Sequence, residues 1–300
     1  MCCFLATSMF FVTGCNDNND PPPPLPPSGA FDGIVRAQVE SGEQFNDAVR
    51  RVTAQFWYEF WCEYWEWWRD SVVVLAYAPF ANRGFTLALP SEVNSRFLRS
   101  FGQNFMEEWY DENEWGFDRG RVSITLSDIR TRERAIFNFR GHPSASGDIN
   151  EWEQNAHFML VSGAVNENDF YFSEAVFVYV DRDVNMIGSG AGEWKNRRAG
   201  VIGTWENNWS ASLKRGWNII YRTETESVVE DGDFLRFHET WTVTTTPISG
   251  LRWYERDYFW NSLYNATTSS IRKMRTQSEH QNEREHFCIF GSRFANRVGR

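Results

Sequence analysis

The segment from Glu107 to Trp115 sets five carboxylates (Glu107, Glu108, Asp111, Glu112 and Glu114) among three large rings (Trp109, Tyr110 and Trp115). Hydrolysis of a glycosidic bond needs only two carboxyl groups at a set separation. A carboxyl group beside an indole can have a raised pKa and act as proton donor. Glu107, Glu108 and Asp111 are therefore the candidate acid/base residues for a carbohydrate-active hydrolase. The competing reading is a solvated acidic loop whose rings turn inward.

A second concentration of rings lies upstream. From Phe56 to Trp68 the chain carries nine aromatic residues, five of them tryptophan, interrupted by Glu59, Glu63 and Glu66. Flat rings stack on sugar faces and neighbouring carboxylates accept hydrogen bonds from hydroxyls. Trp57, Trp61, Trp65, Trp67 and Trp68 are thus candidate glycan-binding residues. The same rings also suit a protein core, and tryptophan favours membrane interfaces, although three glutamates and no lysine speak against an anionic surface. Core packing, glycan contact, and protein or membrane contact stay open at this level.

Other chemistries find less support. There is no G-x-S-x-G nucleophile turn; Ile187-Gly188-Ser189-Gly190 comes nearest and lacks its spacing. The histidines His142, His157, His238, His280 and His286 are scattered, with no zinc-binding spacing among them. His157 and His238 fall in expected strands, where a hydrogen-bonded structural role is favoured. Asp181 with Asp183, and Asp231 with Asp233, have oxygens suited to calcium but not the full ligand spacing of a known loop. No glycine loop precedes a helix as phosphate cradles require, and neither a cofactor nor a metal is expected.

These residues must be held by a body, and the totals bound it. Three hundred residues that are 42% hydrophobic and 17% aromatic supply an ample core. A net charge of −10 argues against nucleic acid as a partner. Alternating apolar patterns mark strands at Ile34–Val39, Val52–Tyr58, Val72–Leu75, Phe85–Leu89, Val122–Leu126, Ala135–Phe139, His157–Val161 and Ala211–Tyr221. Phe170–Val180 is apolar on both faces and so is expected to be central. Asp231-Gly232 is a strong hairpin signal joining Val228-Val229 to Phe234-Leu235, and Leu251–Tyr254 is a last strand. The aromatic run 56–68 is compatible with helix or strand, its flanks favouring the latter. One short helix is expected across Val93, Phe97, Leu98 and Phe101. Residues 102–120 read as turn-like and 141–153 as loop, and the segment 188–200 is glycine-rich and polar.

Ten to thirteen short strands with one helix predict an all-β sandwich over residues 30–257, with room for two Ig-like sub-domains. Beyond Tyr258 the pattern dissolves into a polar tail, helical or disordered.

The N-terminus carries an address rather than chemistry. The apolar run Phe4–Val12 ends in Val12-Thr13-Gly14-Cys15, the pattern of a bacterial lipoprotein signal whose cysteine receives a diacylglycerol. No lysine or arginine precedes it, as a signal peptide normally requires. Asn16–Asp20 and six prolines between Pro21 and Pro27 then form an acidic, extended tether over 15–29. Removing residues 1–14 and acylating Cys15 leaves Cys62 and Cys288, as one bridge or two free thiols. The expected partners are a membrane through the lipid on Cys15 and a glycan or envelope protein.

The lipobox and spacer, with Gly84-Phe85-Thr86-Leu87-Ala88-Leu89-Pro90, Val178-Tyr179-Val180-Asp181-Arg182-Asp183-Val184 and Leu213-Lys214-Arg215-Gly216-Trp217-Asn218, resemble uncharacterised surface lipoproteins of Bacteroides and its relatives. So do Val74-Leu75-Ala76 and Thr245–Tyr254. The resemblance implies a β-rich body anchored in the outer membrane, with display on the cell surface suggested by Asp17 and Asp20. It brings no catalytic residues, and it does not extend to the aromatic block 56–68 or the tail.

Overall fold

The computed structural model describes residues 31–266, apart from 63–66, 101–104, 114–115, 137–138, 144–155, 166–168, 197–199 and 233. In chain order the strands are β1 (Ile34–Gln38), β2 (Arg51–Cys62), β3 (Trp67–Pro79), β4 (Gly84–Ala88), β5 (Arg99–Ser100), β6 (Phe105–Asn113) and β7 (Gly116–Leu126). They continue with β8 (Arg132–Ile136), β9 (Phe139–His142), β10 (Ala156–Val165), β11 (Asp169–Val180) and β12 (Val184–Asn196). The last are β13 (Val201–Leu213), β14 (Gly216–Asp231), β15 (Phe234–Thr244) and β16 (Arg252–Glu255), followed by helix α1 (Arg256–Ala266). The fold is all-β and sandwich-like, with fourteen strands in one hydrogen-bonded sheet and β1–β4 as a separate ribbon.

Strand β11 organises the body. Its odd residues Ala175, Phe177 and Tyr179 enter one core with Phe85, Leu87, Phe139, Phe158, Trp217 and Trp253. Its even residues Val176, Val178 and Val180 enter a second with Val122, Ile124, Met186, Trp205, Trp209 and Leu213. An unbroken apolar run is what a strand buried on both faces requires. The two cores share β11 and β14, so they are halves of one body rather than separate sub-domains. One edge of β11 bonds β14 throughout; the other bonds β10 over 170–175 and β8 over 177–180. That change of partner lets β10 peel away and pair with β9.

The first core is dense in rings: Phe139 lies 5.4 Å from Phe177 and 5.5 Å from Trp253, and Phe80 stacks on Phe158 at 5.3 Å. The β1–β4 ribbon closes it, with Val35, Ala37, Phe85 and Leu87 buried and Thr86 exposed as their alternation predicts. A third cluster joins Phe170 and Phe172 of β11 to Phe259 and Leu263 of α1. The body therefore continues past residue 257, because α1 buries its apolar side on β10 and β11.

Several local expectations change. The turn-like stretch 102–120 contains the β6–β7 hairpin, with Glu107 opposite Val122 and Asp111 opposite Asp118. The 93–101 helix is a single turn at Ser95–Phe97, capped by Asn94 Oδ1 accepting from Arg96 N, before the chain extends into β5. Val72–Leu75 is the half-buried middle of the longer strand β3. The hairpin at Asp231-Gly232 forms as expected, with Asp231 opposite Phe234 and Gly232 at φ +61°.

The glycine-rich segment 188–200 is for most of its length strand β12. Gly188, Gly192 and Trp194 stand directly opposite Trp209, Trp205 and Gly203 of β13. Each indole lies opposite a residue with no side chain. A Cβ at Gly192 would come within 2.5 Å of both the Trp205 ring and Arg119 O, and one at Gly203 within 2.1 Å of Trp194. Glycine weakens a strand when its missing side chain leaves a gap; here the cross-strand tryptophan fills it.

Gly192→Ala is expected to lower the unfolding free energy by about 1–3 kcal/mol through overpacking. Gly232→Asn has open space and a left-handed φ that asparagine tolerates, so it should change stability by under about 0.5 kcal/mol. Urea titration of the two variants measures the contrast.

Candidate functional site

The turn Lys214–Arg215 joins β13 to β14, held by Asn218, whose Oδ1 accepts from Lys214 N at 2.9 Å while Nδ2 donates to Lys214 O at 2.7 Å. Yet β13 and β14 do not pair. Strand β15 enters between them, antiparallel to β14 and parallel to β13. The two strands therefore splay apart from their own turn. Near the turn the gap is filled by Ile220, Val243, Ala211 and Leu213 of the second core. Further from it, the same face of β14 and β15 becomes polar.

The rows of cross-strand neighbours define that face. Glu174 stands opposite Arg222, and Arg222 opposite Val243. In the next row Glu224 faces Trp241, and Trp241 faces Asn207 of β13. Beyond it Glu226 faces Glu239, and Glu239 faces Trp205. Helix α1 borders the face, because Phe170 and Phe172, which it covers, stand opposite Glu226 and Glu224.

Glu174 and Arg222 are buried, with Oε1 of the acid 2.6 Å from Nη2 of the arginine. The Arg222 guanidinium also lies 5.2 Å from the Trp241 ring centre. Burial raises the Glu174 pKa and Arg222 opposes that shift. Trp241 Nε1 donates to Glu239 Oε1. Trp194 of β12 stacks on Phe237 at 6.2 Å. Asn207 is buried and its Oδ1 has no hydrogen-bond partner. Glu224, Glu226, Glu239, Trp241, Phe237 and Trp194 are half-buried.

Two glutamates facing each other across a strand pair repel. Here Glu239 accepts from Trp241 Nε1, which ties one of the two carboxylates to a ring of the same face. Half-exposed rings framed by carboxylates present stacking surfaces and acceptors to a polyhydroxylated ligand.

The residues singled out from sequence lie elsewhere or only border this face. Trp57 and Trp61 are in β2, and Trp67 and Trp68 in β3, where the hairpin register pairs Trp61 with Trp68 and Trp57 with Val72. The aromatic run is therefore strand, not helix, on both sides of 63–66. These strands end the sheet order opposite β6. Trp65 and Cys15 lie outside the described residues.

Glu107, Glu108 and Asp111 are in β6. Adjacent strand positions belong to opposite sheet faces, which separates Glu107 from Glu108. The register row of Glu107 runs through Val122, Gly190 and Asn207 to Trp241, so this position shares the face described above. Among the turn aspartates, Asp181 accepts from Arg132 N at 2.9 Å and Asp183 from Lys214 Nζ at 2.9 Å, so both serve ion pairs. Asp233 lies outside the described residues. His238 Nδ1 lies 2.9 Å from Thr204 Oγ1.

Sequence reasoning expected the hairpin of β14 and β15 but did not single out Glu224, Glu226, Glu239 and Trp241 on it. The signal was present: acids alternate with Thr and Ser over 223–227, and Glu239 and Trp241 occupy alternate positions of the next strand.

Arg222→Met leaves Glu174 buried without its cation and is expected to cost about 3–5 kcal/mol. An unpaired Glu174 has its pKa raised further, and protonation relieves the penalty as pH falls. The difference from wild type should therefore be smaller at pH 5 than at pH 8, and Glu174→Gln/Arg222→Met should cost less than Arg222→Met alone. Chemical denaturation of all three proteins at both pH values gives the comparison.

Comparison with protein-family models, with curated proteins and with solved structures finds no match to this chain.

Proposed function

We propose that the protein is a lipid-anchored cell-envelope protein whose body binds a glycan without turning it over, through the aromatic and acidic face of β13, β14 and β15. The observation that carries this reading is the half-exposed set of Trp241, Glu224, Glu226 and Glu239, which places a ring and three carboxylates on one face of β14 and β15. The anchor rests on the Val12–Cys15 motif and its proline-rich spacer, and places the protein at the outer membrane, on the cell-surface side. A protein ligand of the envelope is the variant of this reading that a glycan screen distinguishes.

One observation favours a second reading, a carbohydrate-active hydrolase. Glu107 shares a register row with Trp241, and Glu174 on the same face has the raised pKa of a proton donor. Here Glu107, with Asp111 at the same parity of β6, would act beside bound sugar.

A glycan-array screen with a parallel hydrolysis assay on the body tests both. Binding without turnover, weakened about tenfold or more by Trp241→Ala, is the expected result. Binding lost in Trp61→Ala and kept in Trp241→Ala would move the site to β2 and β3. Turnover abolished by Glu107→Gln would establish the hydrolase.

The anchor has its own measurement. Metabolic labelling with a fatty-acid analogue is expected to mark the wild-type chain and to fail in Cys15→Ala. Label that persists in the variant, or is absent from wild type, contradicts the anchor.

A further inference from the structure

On the side of β2, β9 and β10 turned away from the first core, basic residues stand in register. Val52, Ala54, Phe139 and Phe158 enter that core, so Arg51, Thr53, Arg140, His142 and His157 alternate onto the opposite face. Arg51 is opposite His142, Thr53 is opposite Arg140, and Arg140 is opposite His157. Phe158 pairs with Glu255 on the next strand, which sets Arg256 beside His157. Three arginines and two histidines thus share one patch.

Arg140 and His142 are buried, Arg51 and His157 half-buried, and Arg256 exposed at the rim. Arg140 is 9% exposed, and among the described residues no carboxylate lies within ion-pairing distance of it. His157 Nδ1 is buried without a hydrogen-bond partner among the described residues. Two acids adjoin the patch: Glu255 accepts from Tyr258 N at 2.8 Å and from His157 N at 3.4 Å, and Asp257 pairs with Arg256 at 3.2 Å, so the cation left without an ion pair among the described residues is Arg140. His142 Nε2 lies 2.9 Å from Thr53 Oγ1, which donates to Gln55 Oε1 at 2.8 Å. The hydroxyl proton is therefore spent on Gln55, and His142 Nε2 is the donor to Thr53. This fixes one imidazole and leaves the His157 Nδ1 edge and the Arg140 fork open to a ligand. Burial, with nearby arginines, lowers both imidazole pKa values to about 4, so neither adds charge in the empty patch.

A buried guanidinium with no counter-charge costs several kcal/mol unless an anion completes it. We propose that this patch is a phosphate-binding site, in which Arg140, His157 Nδ1 and Arg256 hold the oxygens of a phosphate group. A planar carboxylate satisfies one arginine fork, whereas donors arriving from β9, β10 and the first residue of α1 match a tetrahedral oxyanion. The phosphate can be a free ion or the headgroup of a lipid, since the protein chemistry is the same.

The test is isothermal titration and thermal unfolding of the full chain with inorganic phosphate at constant ionic strength, with chloride as control. Saturable binding and a rise in Tm specific to phosphate are expected. Arg140→Met should weaken binding by about tenfold or more, since a hydrogen bond to a charged group is lost, while Arg140→Lys should retain part of it. His157→Gln, which keeps the bulk of the ring position, should weaken it less and stands in if Arg140→Met does not fold. A soluble short-chain phosphatidate that competes with phosphate would identify the lipid headgroup as the source, and failure to compete would identify the free ion. An unresponsive wild type, an unchanged affinity in both Arg140→Met and His157→Gln, or a response that chloride reproduces would overturn the proposal.

Discussion

Everything in this body depends on β11, a strand buried on both of its faces, and on its pairing with β14. β11 and β14 pair over their full shared length, and their alternate residues feed opposite cores. A strand in that position cannot carry exposed polar groups on either side without losing burial free energy. The one charged pair it does carry, Glu174 with Arg222, is cross-strand, buried and mutually neutralising. That pair also marks where the apolar filling of the second core gives way to the polar face of β14 and β15.

The rest of the sheet is shaped by how large rings are accommodated. β12 and β13 pair tryptophan with glycine three times, and at Gly192 and Gly203 the opposite indole occupies the space where a second side chain would stand. This permits tryptophan-rich strands to pack inside a curved sheet, and it explains why a segment rich in glycine is strand rather than loop. β15 completes the curvature by entering between β13 and β14. The rows of Glu224, Trp241 and Asn207, and of Glu226, Glu239 and Trp205, are products of that insertion. Two polar surfaces result, on different parts of the sheet and of opposite sign: the acidic, aromatic face of β13–β15, and the basic face of β2, β9 and β10.

The candidate site was partly legible. Alternation of Glu and Thr along 223–227 and the pair Glu239 and Trp241 are ordinary strand patterns in the chain. Taken alone they describe a solvated strand face. What gives them weight is that Glu226 meets Glu239 directly, and this depends on a hairpin register set by the turn at Gly232. The denser motifs attracted attention for a different reason. The runs 56–68 and 107–115 concentrate rings and acids along the chain, but a strand sends neighbours to opposite faces, so density in sequence does not become density on a surface. The basic patch was harder still to see, since Arg51, Arg140, His157 and Arg256 are far apart in the chain and no one of them is unusual.

The chain by itself determined the all-β class, the centrality of Phe170–Val180, the ribbon strand Phe85–Leu89 and the Asp231-Gly232 hairpin. Each is a local matter of alternation, continuous apolar character or turn chemistry, and local signals survive whatever the distant chain does. The tertiary structure alone decided that the glycine-rich stretch up to Asn196 extends, that β15 separates β13 from β14, and that α1 belongs to the body. In each case the deciding group is remote: an indole that occupies a glycine's empty side, a strand that bonds in parallel across a gap, a pair of phenylalanines that need cover. Pairing across a sheet is a long-range choice, and it is this choice that gathers scattered glutamates on one face and scattered arginines on another.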